Sequence, residues 1–386
     1  MAIFNEKVIK VTDYKVLGEL PDPFLRSDGT RVASAEEFEE HKKELYKSAV
    51  ELQYGTMPPE PEFLEVELLF KLYRGRGVYT YRIITGRRDH PVSFTMRVYF
   101  ANAEGKTPVI VDGDMCFDYA YDKEWRGQAL DKGVGLALFN RTELVPDVKT
   151  HERKGPLYEC YPEYDFGALG AWAWGYSRCV DALEKLDLFD MDWVTFTGHS
   201  RGGKTAASAG VLDKRARIVV PNETNAGSCS CYRIHMSAIK EDGTEFRSET
   251  LADLHKNFFY WIGPKMAEYT ECEEKLPFDA HFIKALIAPR TLVVAEAASD
   301  IWTNPIGSWM TTQAVGEVYK LYGKEENLYW YFRRGDHFHK PEDLAMLVSV
   351  IKHQKDGEPL CEGFFSTPFE EPELIYKWRC PKLKEV

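Results

Sequence analysis

Val194-Thr195-Phe196-Thr197-Gly198-His199-Ser200-Arg201-Gly202-Gly203-Lys204-Thr205-Ala206-Ala207-Ser208-Ala209 is the stretch on which the fold turns. Its first four residues are β-branched or aromatic and read as a short buried strand. Its last six are a helix candidate whose small residues allow close packing on a sheet. Between them stands a complete G-x-S-x-G, Gly198 to Gly202. A sharp strand-to-helix turn strains the central residue, and glycine on either side removes the side chains that would crowd it. The Ser200 Oγ is then expected exposed at a helix N-terminus, where unpaired N–H groups stabilise an oxyanion. The pentapeptide alone is a weak pattern, and its strand and helix flanks supply the specificity.

Outward from this turn, short apolar runs bounded by turn residues recur at Val109–Val111, Gly135–Phe139, Ile218–Val220, Thr291–Ala295 and Tyr329–Phe332. Such runs suit strands buried on both faces. Helical spacing lies between them at Gly167–Leu186, Lys204–Leu212, Phe282–Leu286 and Trp309–Leu321. Alternating strand and helix predicts an α/β protein: a three-layer sandwich with a mostly parallel central sheet and helices on both faces. Upstream, Glu65–Tyr73, Tyr79–Ile84 and Val92–Phe100 read as further strands, and Ala35–Leu52 as a charged surface helix broken by Met57-Pro58-Pro59-Glu60-Pro61. No linker-like stretch divides Pro108 from Lys352. The expected organisation is an N-terminal extension over residues 1–60, packed on one hydrolase domain over 61–386.

A serine nucleophile needs a base and an acid, which this fold supplies in the order serine, acid, histidine. His337, in Arg334-Gly335-Asp336-His337-Phe338-His339, follows the last strand candidate and is the expected base; His339, two residues on, is the alternative. Asp300, after the strand Thr291–Ala295, and Glu223, after the strand ending at Val220, compete for the acid role. Either could accept the histidine Nδ1–H and stabilise the imidazolium. A His-x-His zinc site lacks a convincing third ligand, so no metal and no cofactor is expected.

Composition bounds the rest. The 386 residues are 44% hydrophobic and 13% aromatic, enough for a sizeable core. With 49 basic against 61 acidic residues and a net charge of −12, the chain lacks the basic face that nucleic acid or an anionic membrane requires. No stretch approaches the about 18 consecutive apolar residues of a membrane span. The start MAIFNEKVIK has no basic cap followed by an apolar run. It reads as cytoplasmic, or as secreted after loss of a leader. Eight cysteines without a Cys-x-x-Cys read as reduced or buried thiols rather than a disulfide framework.

Several segments together resemble the carbohydrate esterase family 15, the glucuronoyl esterase group of α/β-hydrolases, over roughly residues 18–350. Gly198-His199-Ser200-Arg201-Gly202-Gly203-Lys204 is similar to that family's nucleophile motif, and Pro221-Asn222-Glu223-Thr224 to a segment shortly after it. Leu276-Pro277-Phe278-Asp279-Ala280-His281 through Ala288-Pro289-Arg290, and Asp300-Ile301-Trp302-Thr303-Asn304-Pro305-Ile306-Gly307, resemble two more. The resemblance implies a serine esterase acting on an ester of a glucuronic acid side chain of xylan, a carbohydrate ester substrate. It implies Ser200 as nucleophile, His337 as base and both Glu223 and Asp300 at acid positions. It also implies Arg201 at the oxyanion, Lys204 on sugar hydroxyls and Trp302 against the pyranose. A further donor to the oxyanion is expected from the turn Gly113–Met115. The chain departs from the pattern at His199, where many members carry cysteine, and over Asn225–Cys231, where the family is glycine-rich. An acetyl or other small-molecule esterase, a serine peptidase, and a silent carbohydrate-binding relative are the alternative readings.

Overall fold

The computed structural model describes residues 14–72, 77–239, 243–366, 369 and 371–381. Its strands are β1 Tyr14–Val16, β2 Phe63–Leu72, β3 Val78–Gly86, β4 Pro91–Tyr99, β5 Val109–Asp112, β6 Gly135–Phe139, β7 Val194–His199, β8 Ala216–Asn222, β9 Ile234–Ile239, β10 Glu245–Arg247, β11 Thr291–Ala297 and β12 Leu328–Arg333. Nine of them form one sheet in the order β12-β11-β8-β7-β5-β6-β4-β3-β2. The run from β12 to β6 is parallel, and β4, β3 and β2 continue it antiparallel. The remaining three, β1, β9 and β10, make a small antiparallel sheet that the short-run reading had not anticipated.

The apolar runs are buried on both faces because alternate side chains enter different cores. Val109 and Val111 of β5 join Phe196 of β7 in one core, under the helices Ala168–Leu186, Arg201–Leu212 and Pro305–Tyr322. Ile110 between them joins Ile218, Val220 and Val293 in the other core, covered by the helices Lys123–Leu130 and Pro341–Asp356. The result is the α/β-hydrolase sandwich, helix on sheet on helix.

Residues 14–62 share the first core rather than lying apart from it. Phe24, Phe38, Leu45 and Tyr54 are buried there, and the Phe38 ring meets Tyr322 at 6.0 Å. The helix expected over Ala35–Leu52 runs as α-helix to Leu45 and continues as a wider turn over Tyr46–Glu51. It is less of a surface helix than its charges suggest, because Phe38, His41 and Leu45 face inward. Among the described residues, no helix is long and apolar enough to cross a membrane.

Candidate active site

β7 delivers Ser200 directly into the N-terminus of the helix Arg201–Leu212. Ser200 has φ 56° and ψ −115°, a strained region for a non-glycine residue that persists only where the surroundings enforce it. The flanking glycines explain how. A Cβ on Gly198 would stand 2.5 Å from the Gly202 carbonyl oxygen, and one on Gly202 would fall on the Asp114 carboxylate. Asp114 has no freedom to yield. Its Oδ2 accepts from the His199 N–H at 2.9 Å and the Tyr119 hydroxyl at 2.6 Å, and its other oxygen pairs with buried Arg141. Overpacking a fixed site of this kind costs about 1–3 kcal/mol. Gly202→Ala is therefore expected to lower the thermal unfolding midpoint by several degrees and to cut esterase activity in whatever remains folded.

Two loops beyond the sheet bring the other groups to the serine. His337 follows β12 and Asp300 follows β11. His337 Nε2 lies 2.9 Å from Ser200 Oγ, and Nδ1 lies 2.5 Å from Asp300 Oδ2. A carboxylate can only accept, so Nδ1 carries the proton and Nε2 is left to accept from the serine hydroxyl. Asp300 is 2% exposed, whereas the His337 side chain is 37% exposed and open to a substrate. Glu223 also reaches this centre but does not bond the imidazole: its Oε2 is 3.8 Å from Nδ1. Its Oε1 is ion-paired with Arg333. Arg333 also donates to the Phe338 carbonyl at 2.8 Å and to Asp343 at 2.6 Å, so it ties Glu223 to the loop that carries His337. Burial, with Asp343, Asp300 and Glu296 nearby, pushes the Glu223 carboxyl well above its usual range against the pull of Arg333.

One strand residue behind this pair is a further buried acid. Burial raises the Glu296 carboxyl to about 8, with Asp300 adding to the rise and Ser308 and Thr303 opposing it. A carboxyl that holds its proton better folded than unfolded stabilises the fold fully below the unfolded value, and that contribution is lost as pH rises toward the folded one. Glu296→Gln removes the titration. Its unfolding midpoint relative to wild type is expected to rise from pH 5 to pH 9 in a thermal melt series.

His199, where a cysteine was noted as the family's usual residue, sits under the catalytic loop. Its ring is 4.8 Å from that of His337 and stacks on His339 at 5.0 Å. Its Nε2 is 3.0 Å from the His337 carbonyl oxygen and its Nδ1 is 3.1 Å from Asn222 Nδ2. The carbonyl can only accept and the amide nitrogen can only donate, so His199 carries its proton on Nε2. Burial, reinforced by the neighbouring histidines, holds it well below the usual histidine value. Because it anchors the backbone of the base, His199→Ala is expected to lower kcat about tenfold to a hundredfold with little change in KM. His199→Gln, which keeps a donor near that carbonyl, should recover part of the loss in steady-state kinetics.

His339, the alternative base, turns away from Ser200: its Nδ1 lies 3.2 Å from Asn222 Nδ2 and 3.4 Å from Asp343. His339 is thus engaged on the side of Asn222 and Asp343. The donor atoms of His199, Glu223 and His337 do lie within 4.8 Å of one another. Asp300, Arg333 and the His337 carbonyl already engage that set, and the cationic Arg333 on Glu223 opposes a metal ion.

The remaining predicted residues divide. Arg201 is beside the serine, but its guanidinium donates to Asp147 at 2.7 Å and lies 4.9 Å over the Trp261 ring. The Gly113–Met115 turn does not offer free donors. Gly113 N–H donates to the Tyr176 hydroxyl, Asp114 N–H to Asp112 and Met115 N–H to the Phe139 carbonyl. That expectation is corrected: the turn is consumed in holding its own shape and that of the nucleophile turn. The available donors are the remaining Arg201 N–H groups and the helix's first-turn amides, which have no intrahelical carbonyl. Lys204 is 3% exposed and pairs with Glu249 at 2.6 Å, also donating to the Ala226 carbonyl at 2.8 Å. Trp302 is half-buried, and its carbonyl accepts from the Glu249 N–H at 3.1 Å. Lys204, Glu249 and Trp302 are thus joined in one hydrogen-bonded chain. Sequence reasoning missed Glu249, because no local pattern joins it to a lysine 45 residues earlier.

A strained serine between strand and helix, with histidine and aspartate on loops after later strands, defines a serine hydrolase of the α/β-hydrolase class. The family described as "Glucuronyl esterase, fungi" matches residues 83–323. The chain is 26% identical over 382 residues to 4-O-methyl-glucuronoyl methylesterase 1 of Wolfiporia cocos, covering 94% of this chain and 89% of that protein. A carbohydrate esterase family 15 glucuronoyl esterase from Caldicellulosiruptor kristjansonii superposes with a TM-score of 0.81 at 27% identity, over 95% of this chain and 98% of that one. A glucuronoyl esterase serine mutant from Sporotrichum thermophile, solved with methyl 4-O-methyl-β-D-glucopyranuronate, superposes at 0.71 with 24% identity over 91% of each chain. The chain belongs to the glucuronoyl esterase family and is a serine carboxylic ester hydrolase.

Proposed function

We propose that the chain cleaves an ester of glucuronic acid, 4-O-methylated or not, or of a closely related sugar acid, through an acyl-enzyme on Ser200. The observation that carries this reading is the unbroken chain Ser200 Oγ–His337–Asp300 beside the buried Lys204–Glu249 pair. In this mechanism His337 Nε2 takes the serine proton as Oγ attacks the ester carbonyl. Asp300 holds Nδ1–H and stabilises the imidazolium. The oxyanion is met by Arg201 and the first-turn amides. His337 then protonates the leaving alcohol, and water releases the acid by the same path. Lys204 and Glu249 offer a fixed donor and acceptor to sugar hydroxyls, and Trp302 an apolar face to the ring. The relatives, 4-O-methyl-glucuronoyl methylesterases among them, point the same way.

The test is turnover of methyl or benzyl glucuronate beside acetylated xylose, a feruloyl ester and an aminoacyl amide. The expected result is that the glucuronate esters lead in kcat/KM. A leading acetyl ester would replace this substrate, and a leading amide would replace the reaction class.

A further inference from the structure

A cavity of about 1120 Å³ lies outside the serine site. It lies where the loop residues 145–167 face residues 255–267, and it is larger than the about 300–1,000 Å³ of an ordinary small-ligand pocket. It is linked to the active site by the hydrogen bonds of one residue. Asp147 Oδ2 holds Arg201, next to the nucleophile, while Oδ1 accepts from the Tyr260 hydroxyl at 2.7 Å and Trp261 Nε1 at 3.0 Å. Pro146 and Val148 on either side of Asp147, and Tyr260 itself, line the cavity.

Its chemistry is aromatic and cationic. Phe259 and Tyr260 contribute rings, and His151 stacks on Phe259 at 4.1 Å. Lys149 and Lys256 also line it and have no acidic partner among the described residues. The acids that line it are occupied: Glu152 by Lys154, Glu163 by Arg87, and Asp165 by the Thr56 N–H. Unpaired cations in a chain of net charge −12 form a local field that attracts anions. Rings beside cations suit a ligand with apolar faces and carboxylates, which describes pyranoses bearing uronates.

We infer that this cavity binds an acidic glycan chain, a run of uronate-bearing sugars contiguous with the ester at Ser200. The inference rests on the function proposed above and deepens it. The substrate becomes an ester within an acidic oligosaccharide rather than an isolated ester on a neutral chain. Lys149 and Lys256 pair with carboxylates that are already free, and the rings carry sugar faces.

The experiment uses the full chain and its Lys149→Ala/Lys256→Ala variant, with a short oligogalacturonide and a neutral xylo-oligosaccharide of equal length as calorimetric probes. The acidic probe is expected to bind wild type more tightly than the neutral one and to weaken with added salt. In the double variant its Kd should rise about tenfold or more, while kcat and KM on monosaccharide methyl glucuronate stay unchanged. That unchanged turnover also establishes that the variant is folded. Equal binding of the two probes, no binding, or an unmoved Kd in the variant overturns the inference. So does a fall in monosaccharide turnover, which would assign the lysines to the reaction centre. Failure of wild type to hydrolyse any glucuronate ester refutes the proposed function instead, and is read in a separate assay.

Discussion

Ser200→Ala is expected to lower kcat on a methyl glucuronate ester by about 10⁵–10⁶-fold and to leave KM within a few-fold. The size follows from what the hydroxyl does. Without Oγ no acyl-enzyme forms, and His337 at 2.9 Å has no proton to take. What survives is the contribution of the oxyanion donors and of binding, about 10³–10⁴ over water. KM is spared because the sugar contacts proposed for Lys204, Glu249 and Trp302 do not involve Oγ. Labelling of the folded protein with a fluorophosphonate should disappear in the same variant. Undiminished turnover would mean that another group attacks the ester. Loss of labelling with intact turnover would mean that Ser200 is exposed and reactive but idle.

The nucleophile turn was legible because its causes are local. A β-branched strand, two glycines and a helix of small residues state the geometry within sixteen positions, and the clash a Cβ on Gly202 would make with Asp114 shows why the pattern cannot vary there. The parallel strands were legible because both of their faces are buried, which makes each run apolar throughout. The rest depends on distant partners. Glu249 is an ordinary glutamate in sequence, and only the fold sets it against Lys204. The Gly113–Met115 amides looked free because their acceptors, Tyr176, Asp112 and Phe139, include side chains and strands that no local window contains. The helix Pro341–Asp356 escaped notice because Leu344–Ile351 is a nearly unbroken apolar run, broken only by Ser349, which shows no helical spacing. Likewise β9 and β10 are short, and their pairing sets Ile234–Ile239 against Glu245–Arg247 and, across most of the chain, Tyr14–Val16.

The choice between the two acids was open in sequence, and the geometry turns it into a quantitative expectation. Asp300 accepts from His337 Nδ1 at 2.5 Å, while Glu223 keeps one buried oxygen 3.8 Å from the same nitrogen with no hydrogen-bond partner. Glu223 is thus close enough to act as a reserve acceptor after a small loop shift, in the ionised form that Arg333 on its other oxygen and the loss of the Asp300 charge both favour. Asp300→Asn removes the negative charge that stabilises the imidazolium, a loss that reaches about 10⁴-fold in kcat where no second carboxylate stands by. Here Glu223 should hold the single loss well short of that. Glu223→Gln alone should cost less again, since it leaves the Asp300 bond intact and loosens only the Arg333 link to the loop. The double variant should show the full loss, more than the product of the singles, because each acid then has no substitute. The measurement is kcat for wild type, both singles and the double on one glucuronate ester, with thermal melts to exclude unfolding. If Asp300→Asn alone equals the double, Glu223 supplies no reserve and its buried oxygen serves only the architecture of the loop.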